Sequence, residues 1–204
     1  MIRARGVALG AGLALVGAAV WWRRNPSACP YGQRFWVEAP HPFITRARLA
    51  EALAPRPGER LLEVGPGTGY YTLGVAEAVG ADGRLDIVDV QQEMLDHTTR
   101  AAREAGLGNL TPHLSDARSL PFGDGEFDGA YLVTVLGEVP DQDAALRELR
   151  RVLKPGARLV VGELFGDPHM VTEGSLRRRA EATDFRYERR FGPAFGYFAR
   201  LLAV

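Results

Sequence analysis

The sequence predicts an α/β fold in which helices cover both faces of a seven-stranded sheet, mostly parallel, whose last strand is antiparallel. Apolar segments of strand length alternate with helical segments from about residue 60 onward, as a parallel sheet requires. A glycine-rich turn at residues 65–69 directly follows the first of these apolar segments. Residues 184–204 contain two further strand candidates with no helix between them. Together these three observations indicate a doubly wound sheet closed by a hairpin.

Five strand candidates precede the hairpin, and each is a short apolar run bounded by turn-forming residues. They are residues 60–65, 84–90, 109–114, 127–133 and 157–164. The helices between them are predicted at about residues 70–79, 92–105 and 141–153, and an earlier helix is predicted at 45–53. Thr45 and Asp141 are the expected N-caps of the first and last of these helices. The turn Gly192–Pro193 joins the final two strands and makes the last one antiparallel.

The N-terminal segment is predicted to be a single-pass membrane anchor. Residues 7–22 carry no charge and are flanked by arginines at both ends, and a tryptophan pair stands at 21–22. As a helix they would span roughly 24 Å, somewhat less than the bilayer core of about 30 Å. Arginine side chains can reach the lipid headgroups and tryptophans favour the membrane interface, so this short run is long enough for a membrane-spanning helix. A cleaved signal segment and a buried helix of a soluble domain are the alternatives.

The composition excludes several classes of function. The 204 residues include 25 basic and 25 acidic side chains, so the chain lacks the basic excess of a general nucleic-acid binder. Cys29 is the single cysteine, which rules out an intrachain disulfide and a cysteine-based metal cluster. We therefore expect neither a metal site nor a nucleic-acid partner.

The glycine-rich turn lies in the segment LLEVGPGTGYYTL, residues 61–73, where ligands of doubly wound sheets bind. Its glycines stand at 65, 67 and 69, and they let the backbone turn sharply and approach a ligand. A dinucleotide-binding fingerprint beginning at Gly65 needs glycine at residue 70, which is Tyr70. No Gly-Lys-Ser/Thr follows either, so a phosphate-binding P-loop is excluded.

Two acidic residues follow the next strands in the same way. Asp89 ends the second strand, where a carboxylate accepts hydrogen bonds from ribose hydroxyls, although it could instead cap the following helix. Asp116 ends the third strand, and its carboxylate can accept from the exocyclic amine of adenine. The alternative for Asp116 is an ordinary loop aspartate.

Together these segments resemble the class I S-adenosylmethionine-dependent methyltransferases of the type seen in quinone-biosynthesis C-methyltransferases. The matching stretches are LLEVGPGTGYY, VDVQQEML, SDARSLPFGDGEFD and ELRRVLKPGARLVVGE, and the likeness covers roughly residues 58–164. The resemblance implies a Rossmann-like fold, S-adenosyl-L-methionine as cofactor, and methyl transfer as the activity. The sequence departs from many members of that class at Glu138, where those members have histidine. Chemistry that relies on that histidine is therefore not expected.

The resemblance also implies which residues hold the cofactor. The glycine loop would contact its amino-acid part with support from Glu63, Asp89 would bind the ribose, and Asp116 would bind the adenine amine. The chain after the fourth strand would line the sulfonium side. The full set is Glu63, Gly65, Gly67, Gly69, Asp89, Met94, Asp116, Ala117 and Val133.

Methyl transfer mainly requires alignment of the acceptor with the methyl group, and a base is needed only where the acceptor loses a proton. Candidates for that base near the strand ends are Glu138, Glu163 and His169. Structural roles compete with catalysis, because Glu138 could cap a helix and Glu163 could pair with an arginine.

The predicted domain organisation is an anchor at 1–24, a connector and acceptor-side cap at 25–54, and the cofactor-binding domain at 55–204. Aromatic residues in the connector, such as Tyr31, Trp36 and Phe43, favour an apolar or amphiphilic acceptor such as a quinone precursor, an isoprenoid phenol or a lipid. A small thiol or amine acceptor, a nicotinamide-dependent oxidoreductase and a non-catalytic, membrane-tethered cofactor-binding protein are the alternatives. Because the cofactor is made in the cytoplasm, we expect the domain to face the cytoplasm.

Overall fold

The computed structural model describes residues 26–33 and 43–204 of the chain. Its strands form one seven-stranded sheet with the order β3-β2-β1-β4-β5-β7-β6. The strands are β1 (Arg60–Val64), β2 (Arg84–Asp89), β3 (Leu110–Leu114), β4 (Phe127–Val133), β5 (Leu153–Leu164), β6 (Phe185–Phe191) and β7 (Gly196–Ala203). The strand order reverses between β1 and β4, so the loops after these two strands diverge and leave a crevice at the carboxyl edge of the sheet.

Strand direction confirms the predicted sheet. Strands β1 to β5 pair in parallel, whereas β7 inserts between β5 and β6 and is antiparallel to both. The C-terminal hairpin therefore closes one edge of the sheet, with the last strand as the antiparallel one.

Five α-helices lie in the described part of the chain. They are α1 (Arg46–Leu53), α2 (Thr72–Val79), α3 (Gln92–Glu104), α4 (Gln142–Val152) and α5 (Glu173–Ala182). The side chains of α4 and α5 enter the core on one face of the sheet, and those of α1, α2 and α3 enter the core on the other. The sheet is therefore doubly wound, as predicted.

The predicted helix caps at Thr45 and Asp141 are present. The side chain of Thr45 accepts a hydrogen bond from the backbone N–H of Arg48 at 3.2 Å, and that of Asp141 accepts from Ala144 at 2.9 Å. These bonds satisfy backbone donors that the first turn of a helix leaves unpaired.

Two features differ from the sequence-based expectation. Strand β5 begins at Leu153, which pairs with Phe127, and the register then shifts before Arg158 pairs with Gly129. Helix α4 thus passes into β5 without a loop, and the irregularity falls on the Lys154–Gly156 turn. Helix α5 was not predicted from the sequence, although Thr172 caps it and Leu176 and Ala180 form its buried stripe.

The N-terminal part of the fold is described in two pieces. Helix α1, within the predicted connector, packs in the same core as β5 and β7 through Leu49 and Leu53. None of the helices in residues 26–33 and 43–204 combines the length and apolar character that crossing a bilayer requires. The predicted anchor, residues 1–24, lies outside the described residues.

Glu63 is a buried acid within β1, only 2% exposed. Burial raises its pKa to about 7, and the nearby hydroxyls of Thr72 and Tyr131 offset this only in part. One carboxyl oxygen of Glu63 and both of these hydroxyls make no hydrogen bond of ordinary geometry within the described residues. The ionised form of Glu63 is therefore costly in the folded state.

Replacing Glu63 by glutamine should stabilise the protein above neutral pH. Because the folded-state pKa lies above the ordinary value of 4.5, the folded chain holds an extra proton between pH 4.5 and about 7. Stability from this group is thus lost as pH rises through that window, by about 3 kcal/mol in total. Urea unfolding should show Glu63→Gln more stable than wild type by about this amount at pH 8, with little difference at pH 5.

Glu77→Gln is the matched control, because Glu77 is exposed on the surface of α2. It should leave the free energy of unfolding within about 0.5 kcal/mol of wild type at both pH values. A Glu63→Gln variant that is less stable than wild type at pH 8 would show that the charge of Glu63 is compensated in the fold.

Candidate functional site

The carboxyl ends of β1, β2, β3 and β4 surround a cavity of about 380 Å³, within the size range of small-molecule sites. Its walls come from the loops after these strands and from the N-terminal segment that crosses above them. The lining residues fall within 26–29, 64–67, 88–94, 115–118 and 133–140. The cavity therefore lies where the strand order reverses, as expected for a ligand site of this fold.

The glycine loop forms the floor of this cavity. Gly65 and Gly67 line it, with φ angles of 70° and 56° that favour glycine. A Cβ atom on Gly65 would lie 2.4 Å from Cγ2 of Val135, which belongs to the chain after β4. Glycine at 65 thus lets the two central loops approach each other.

Gly69 and Glu63 belong to the predicted cofactor set but do not line the cavity. Gly69 has a φ of 85° and packs against Thr98 of α3, whose hydroxyl donates to the carbonyl of Gly67 at 2.9 Å. Gly69 therefore shapes the loop by letting it rest on α3. Glu63 lies beneath the loop within β1.

Asp89 ends β2 and lines the cavity. Burial raises the pKa of its carboxyl, and the backbone N–H of Gln91 donates to Oδ1 at 2.9 Å. No arginine or lysine of the described residues forms an ion pair with it. A desolvated carboxylate of this kind is stabilised by added donors, which ribose hydroxyls can supply. Met94, buried in the first turn of α3, supplies an apolar surface beside it.

Asp116 lines the cavity but is already engaged. Its two oxygens accept from Nε of Arg118 at 3.0 and 3.2 Å, and Oδ2 also accepts from Nη2 at 2.6 Å. The Arg118 side chain holds the pKa of this carboxyl below its usual range. A contact to an adenine amine would have to share the carboxylate with Arg118, while the neighbouring Ala117 offers an apolar wall.

The chain after β4 forms the wall opposite Asp89. Val133 lines the cavity, and Thr134 follows it with a φ of 55°, a left-handed conformation uncommon for a β-branched residue. The N–H of Thr134 donates to the carbonyl of Gly162 at 2.8 Å, which fixes this turn to β5. Backbone outliers of this kind cluster at functional sites. No sequence motif marks this conformation at Thr134.

Glu138 ends a short 3-10 turn, Leu136–Glu138, and its side chain faces the cavity. Burial raises the pKa of this carboxyl to about 7, the nearby acids Asp167 and Asp89 add to the effect, and a hydrogen bond from the N–H of Cys29 at 3.2 Å opposes it. Glu138 is therefore a carboxyl group that exchanges a proton near neutral pH at the wall of the cavity.

The two other candidate bases lie outside this cavity. Glu163 is 1% exposed in β5, and its Oε2 accepts from the N–H of Val171 at 3.0 Å. No arginine of the described residues pairs with it, and burial holds its pKa well above the usual range. His169 lines a separate cavity of about 470 Å³, and its backbone lies against Gly137. Of the three candidates, the structure brings only Glu138 to the first cavity.

The segment at residues 26–33 covers part of the cavity, and residues 26–29 line it. It is held from both sides, because the N–H of Cys29 donates to Glu138 while Gln91 bonds its backbone at Cys29 and Tyr31. Sequence reasoning missed Gln91, since a glutamine that binds backbone groups leaves no motif. Tyr70 lies under Arg46, whose Cζ is 4.2 Å from the centre of its ring. Trp36 lies outside the described residues.

The chemistry of this lining suits a nucleoside with an attached amino acid. Asp89 can accept from a sugar, Met94 and Ala117 can flank a flat base, and the glycine loop exposes backbone groups. These are three different kinds of surface in one cavity, matching the three parts of S-adenosyl-L-methionine.

The sequence comparisons agree with this geometry. Residues 41–173, more than half of the chain, match the ubiE/COQ5 methyltransferase family. The chain is 36% identical over 130 residues to the ubiquinone/menaquinone biosynthesis C-methyltransferase UbiE of Shewanella frigidimarina, a match covering 63% of this chain and 51% of that protein. With the Vibrio cholerae protein of the same name it is 40% identical over 109 residues, covering 53% and 42%. The chain thus spans about half the length of these curated relatives.

Solved structures show the same fold. An S-adenosylmethionine-dependent methyltransferase from Aquifex aeolicus superposes with a TM-score of 0.79 at 21% identity, covering 87% of this chain and 100% of that one. The cyclase SpnF superposes with a TM-score of 0.68 at 24% identity, covering 78% and 79%. At these identities the likeness establishes the fold alone. From the family match, the chain belongs to the ubiE/COQ5 methyltransferase family.

Proposed function

We propose that this enzyme methylates a small hydroxylated aromatic acceptor of the quinone-precursor type, and that Glu138 accepts the proton the acceptor loses. The observation that carries the proposal is the position of Glu138, a carboxyl with a pKa of about 7 at the wall of the cofactor cavity. The printed names of the relatives, ubiquinone/menaquinone biosynthesis C-methyltransferases, support an acceptor of this class.

The predicted cofactor residues divide into those that would touch the cofactor and those that would shape its site. Asp89 would bind the ribose, Gly65 and Gly67 would approach the amino-acid part, and Met94 would pack on the adenine. When bound, S-adenosyl-L-methionine supplies a methyl group on a positively charged sulfur that departs as a neutral thioether.

The chain would contribute alignment and one proton transfer. Glu138 would take the proton of the acceptor hydroxyl, which raises the electron density at the neighbouring ring carbon that forms the new bond to the methyl group. That carbon loses its own hydrogen as a proton while the oxygen regains one, so each turnover releases one net proton. A carboxylate with a pKa near 7 is a far better proton acceptor at neutral pH than an ordinary glutamate.

The cavity wall supports an acceptor with an apolar body. Val133 ends β4, Val135 and Val139 follow it, and all three line the cavity together with Glu138. This combination of apolar surface with one proton acceptor matches a phenol carrying hydrocarbon substituents. A small thiol or amine is the alternative acceptor, and it would place less demand on a base, because a thiolate or free amine is already nucleophilic.

We further propose that residues 1–24 tether the enzyme to a membrane with the catalytic domain on the cytoplasmic side. The uncharged run at 7–22 and its flanking arginines and tryptophans support the anchor. The tether would bring the cavity close to an acceptor dissolved in the bilayer.

Placing the domain in the cytoplasm predicts the behaviour of C-terminal reporter fusions. A fusion to a reporter that functions only in the cytoplasm should be active in the membrane fraction, and deletion of residues 1–24 should release it from that fraction. A fusion active only with an extracytoplasmic reporter would contradict the proposed orientation.

The acceptor class is tested with methyl-labelled S-adenosyl-L-methionine and lipid extracts from the host membrane. Label should enter an organic-soluble aromatic product whose mass exceeds that of its precursor by one methylene. Label transferred instead to a water-soluble thiol or amine would overturn the acceptor class while leaving methyl transfer intact.

Glu138→Gln should lower kcat about 100-fold or more, because the amide cannot accept the proton. In the wild type, kcat should rise with pH up to about 7 and then level off, since Glu138 is active only in its ionised form above its pKa. The variant should lose this inflection and keep a similar affinity for S-adenosyl-L-methionine. Rates across pH 5.5–8.5 with the identified acceptor check both points.

Glu93→Gln is the control for these rates, because Glu93 is exposed in the first turn of α3. It should keep the kcat and the pH profile of the wild type. If Glu138→Gln also kept the inflection near pH 7, another group would have to be the proton acceptor.

A further inference from the structure

We propose that Gln91 is a positioning residue that latches residues 26–33, the closing segment, over the cofactor. The inference concerns the cofactor side of the cavity and does not depend on the identity of the acceptor. It rests on the hydrogen bonds of Gln91, on its place at the start of α3, and on the course of the closing segment.

The side-chain amide of Gln91 binds the backbone of the closing segment with both of its polar atoms. Oε1 accepts from the N–H of Tyr31 at 3.0 Å, and Nε2 donates to the carbonyl of Cys29 at 2.9 Å. The amide thus pairs with the segment as a neighbouring strand would, using one acceptor and one donor. These contacts are independent of the segment's side chains.

The side chain of Gln91 makes these bonds instead of capping its own helix. It occupies the N-cap position of α3 with extended backbone angles, φ −112° and ψ 115°, and its side chain makes no capping bond. Serine, threonine, aspartate and asparagine are preferred there because their short side chains reach the orphan N–H groups of the first turn. A helix start without a side-chain cap is a local conflict, and such conflicts are expected at functional positions.

The latch connects the closing segment to the ribose-binding side of the cavity. The backbone N–H of Gln91 donates to Oδ1 of Asp89, the residue predicted to bind the ribose. Gln91 therefore contacts both Asp89 and the closing segment. At the opposite wall, Glu138 accepts from the N–H of Cys29. The segment is therefore fixed on both sides of the cavity, and a bound cofactor would be enclosed between them.

Enclosure by this segment should slow cofactor loss and exclude water from the reacting groups. Pro26 to Cys29 line the cavity itself, so opening the segment removes part of the wall. Losing the two amide hydrogen bonds should weaken closure about tenfold, the scale expected for two bonds of modest net worth.

The single cysteine makes the closing segment directly observable. Cys29 is half-buried in the segment, and burial raises the pKa of its thiol, so alkylation should be slow while the segment is closed. The rate of alkylation by iodoacetamide, measured by mass spectrometry on the full-length protein without cofactor, therefore reports opening.

Gln91→Ser is the decisive variant, because serine can cap α3 from the existing backbone conformation but cannot reach the closing segment. We expect Cys29 to be alkylated about tenfold faster in this variant, and S-adenosyl-L-methionine to bind about tenfold more weakly by calorimetry. The thermal unfolding midpoint should be equal to or above that of the wild type, because a cap is gained.

Gln92→Ser is the matched control, since the neighbouring Gln92 is exposed and its side chain donates to Asp96 on its own helix at 2.8 Å. It should leave both the alkylation rate and the affinity unchanged. The latch would be overturned if Cys29 in Gln91→Ser were alkylated at the wild-type rate. It would also be overturned if faster alkylation occurred only together with a lowered unfolding midpoint. Because neither readout uses an acceptor, failure here is distinguishable from failure of the proposed acceptor class.

Discussion

The organisation of the site depends on desolvated carboxyl groups at the carboxyl edge of the sheet that have no cationic partner among the described residues. Glu63, Asp89 and Glu138 all have raised pKa values, and burial is the main cause in each case. Asp86, which is fully buried near the start of β2, instead has a lowered pKa because Arg60 and other basic groups surround it. The fold therefore pairs Asp86 with basic side chains and leaves Glu63, Asp89 and Glu138 without a cationic partner among the described residues. That arrangement costs stability and provides hydrogen-bond acceptors and a proton acceptor for ligands.

Much of the fold could be predicted because its signals are local. Alternating apolar runs locate β1 to β4, and the caps Thr45 and Asp141 locate helix starts. The start of β5 was misplaced because Leu153 continues the apolar stripe of α4 while pairing with Phe127, a contact distant in sequence. Helix α5 was missed because its arginine-rich sequence obscures a narrow buried stripe.

The site could be predicted only as far as topology determines it. Strand ends converge in a doubly wound sheet, so Gly65, Asp89 and Glu138 were expected together and do line one cavity. The same rule cannot give side-chain direction. Glu163 lies near the end of β5 as expected, yet its carboxyl accepts from Val171 away from the cavity. Gln91 was invisible to sequence reasoning because its partners are backbone groups of a segment about 60 residues earlier.

The closing segment and the proposed base are compatible because a carboxyl group has two oxygens. Oε2 of Glu138 accepts from the N–H of Cys29, a bond that a carboxylate or the carbonyl oxygen of a neutral acid can both form. The other oxygen can then gain and lose a proton while the segment stays in place. Burial is the main cause of the raised pKa of Glu138, and the closing segment lies against this carboxyl group. In the proposed arrangement a single segment would thus both enclose the cofactor and cover the proton acceptor, with Gln91 holding it from the ribose side.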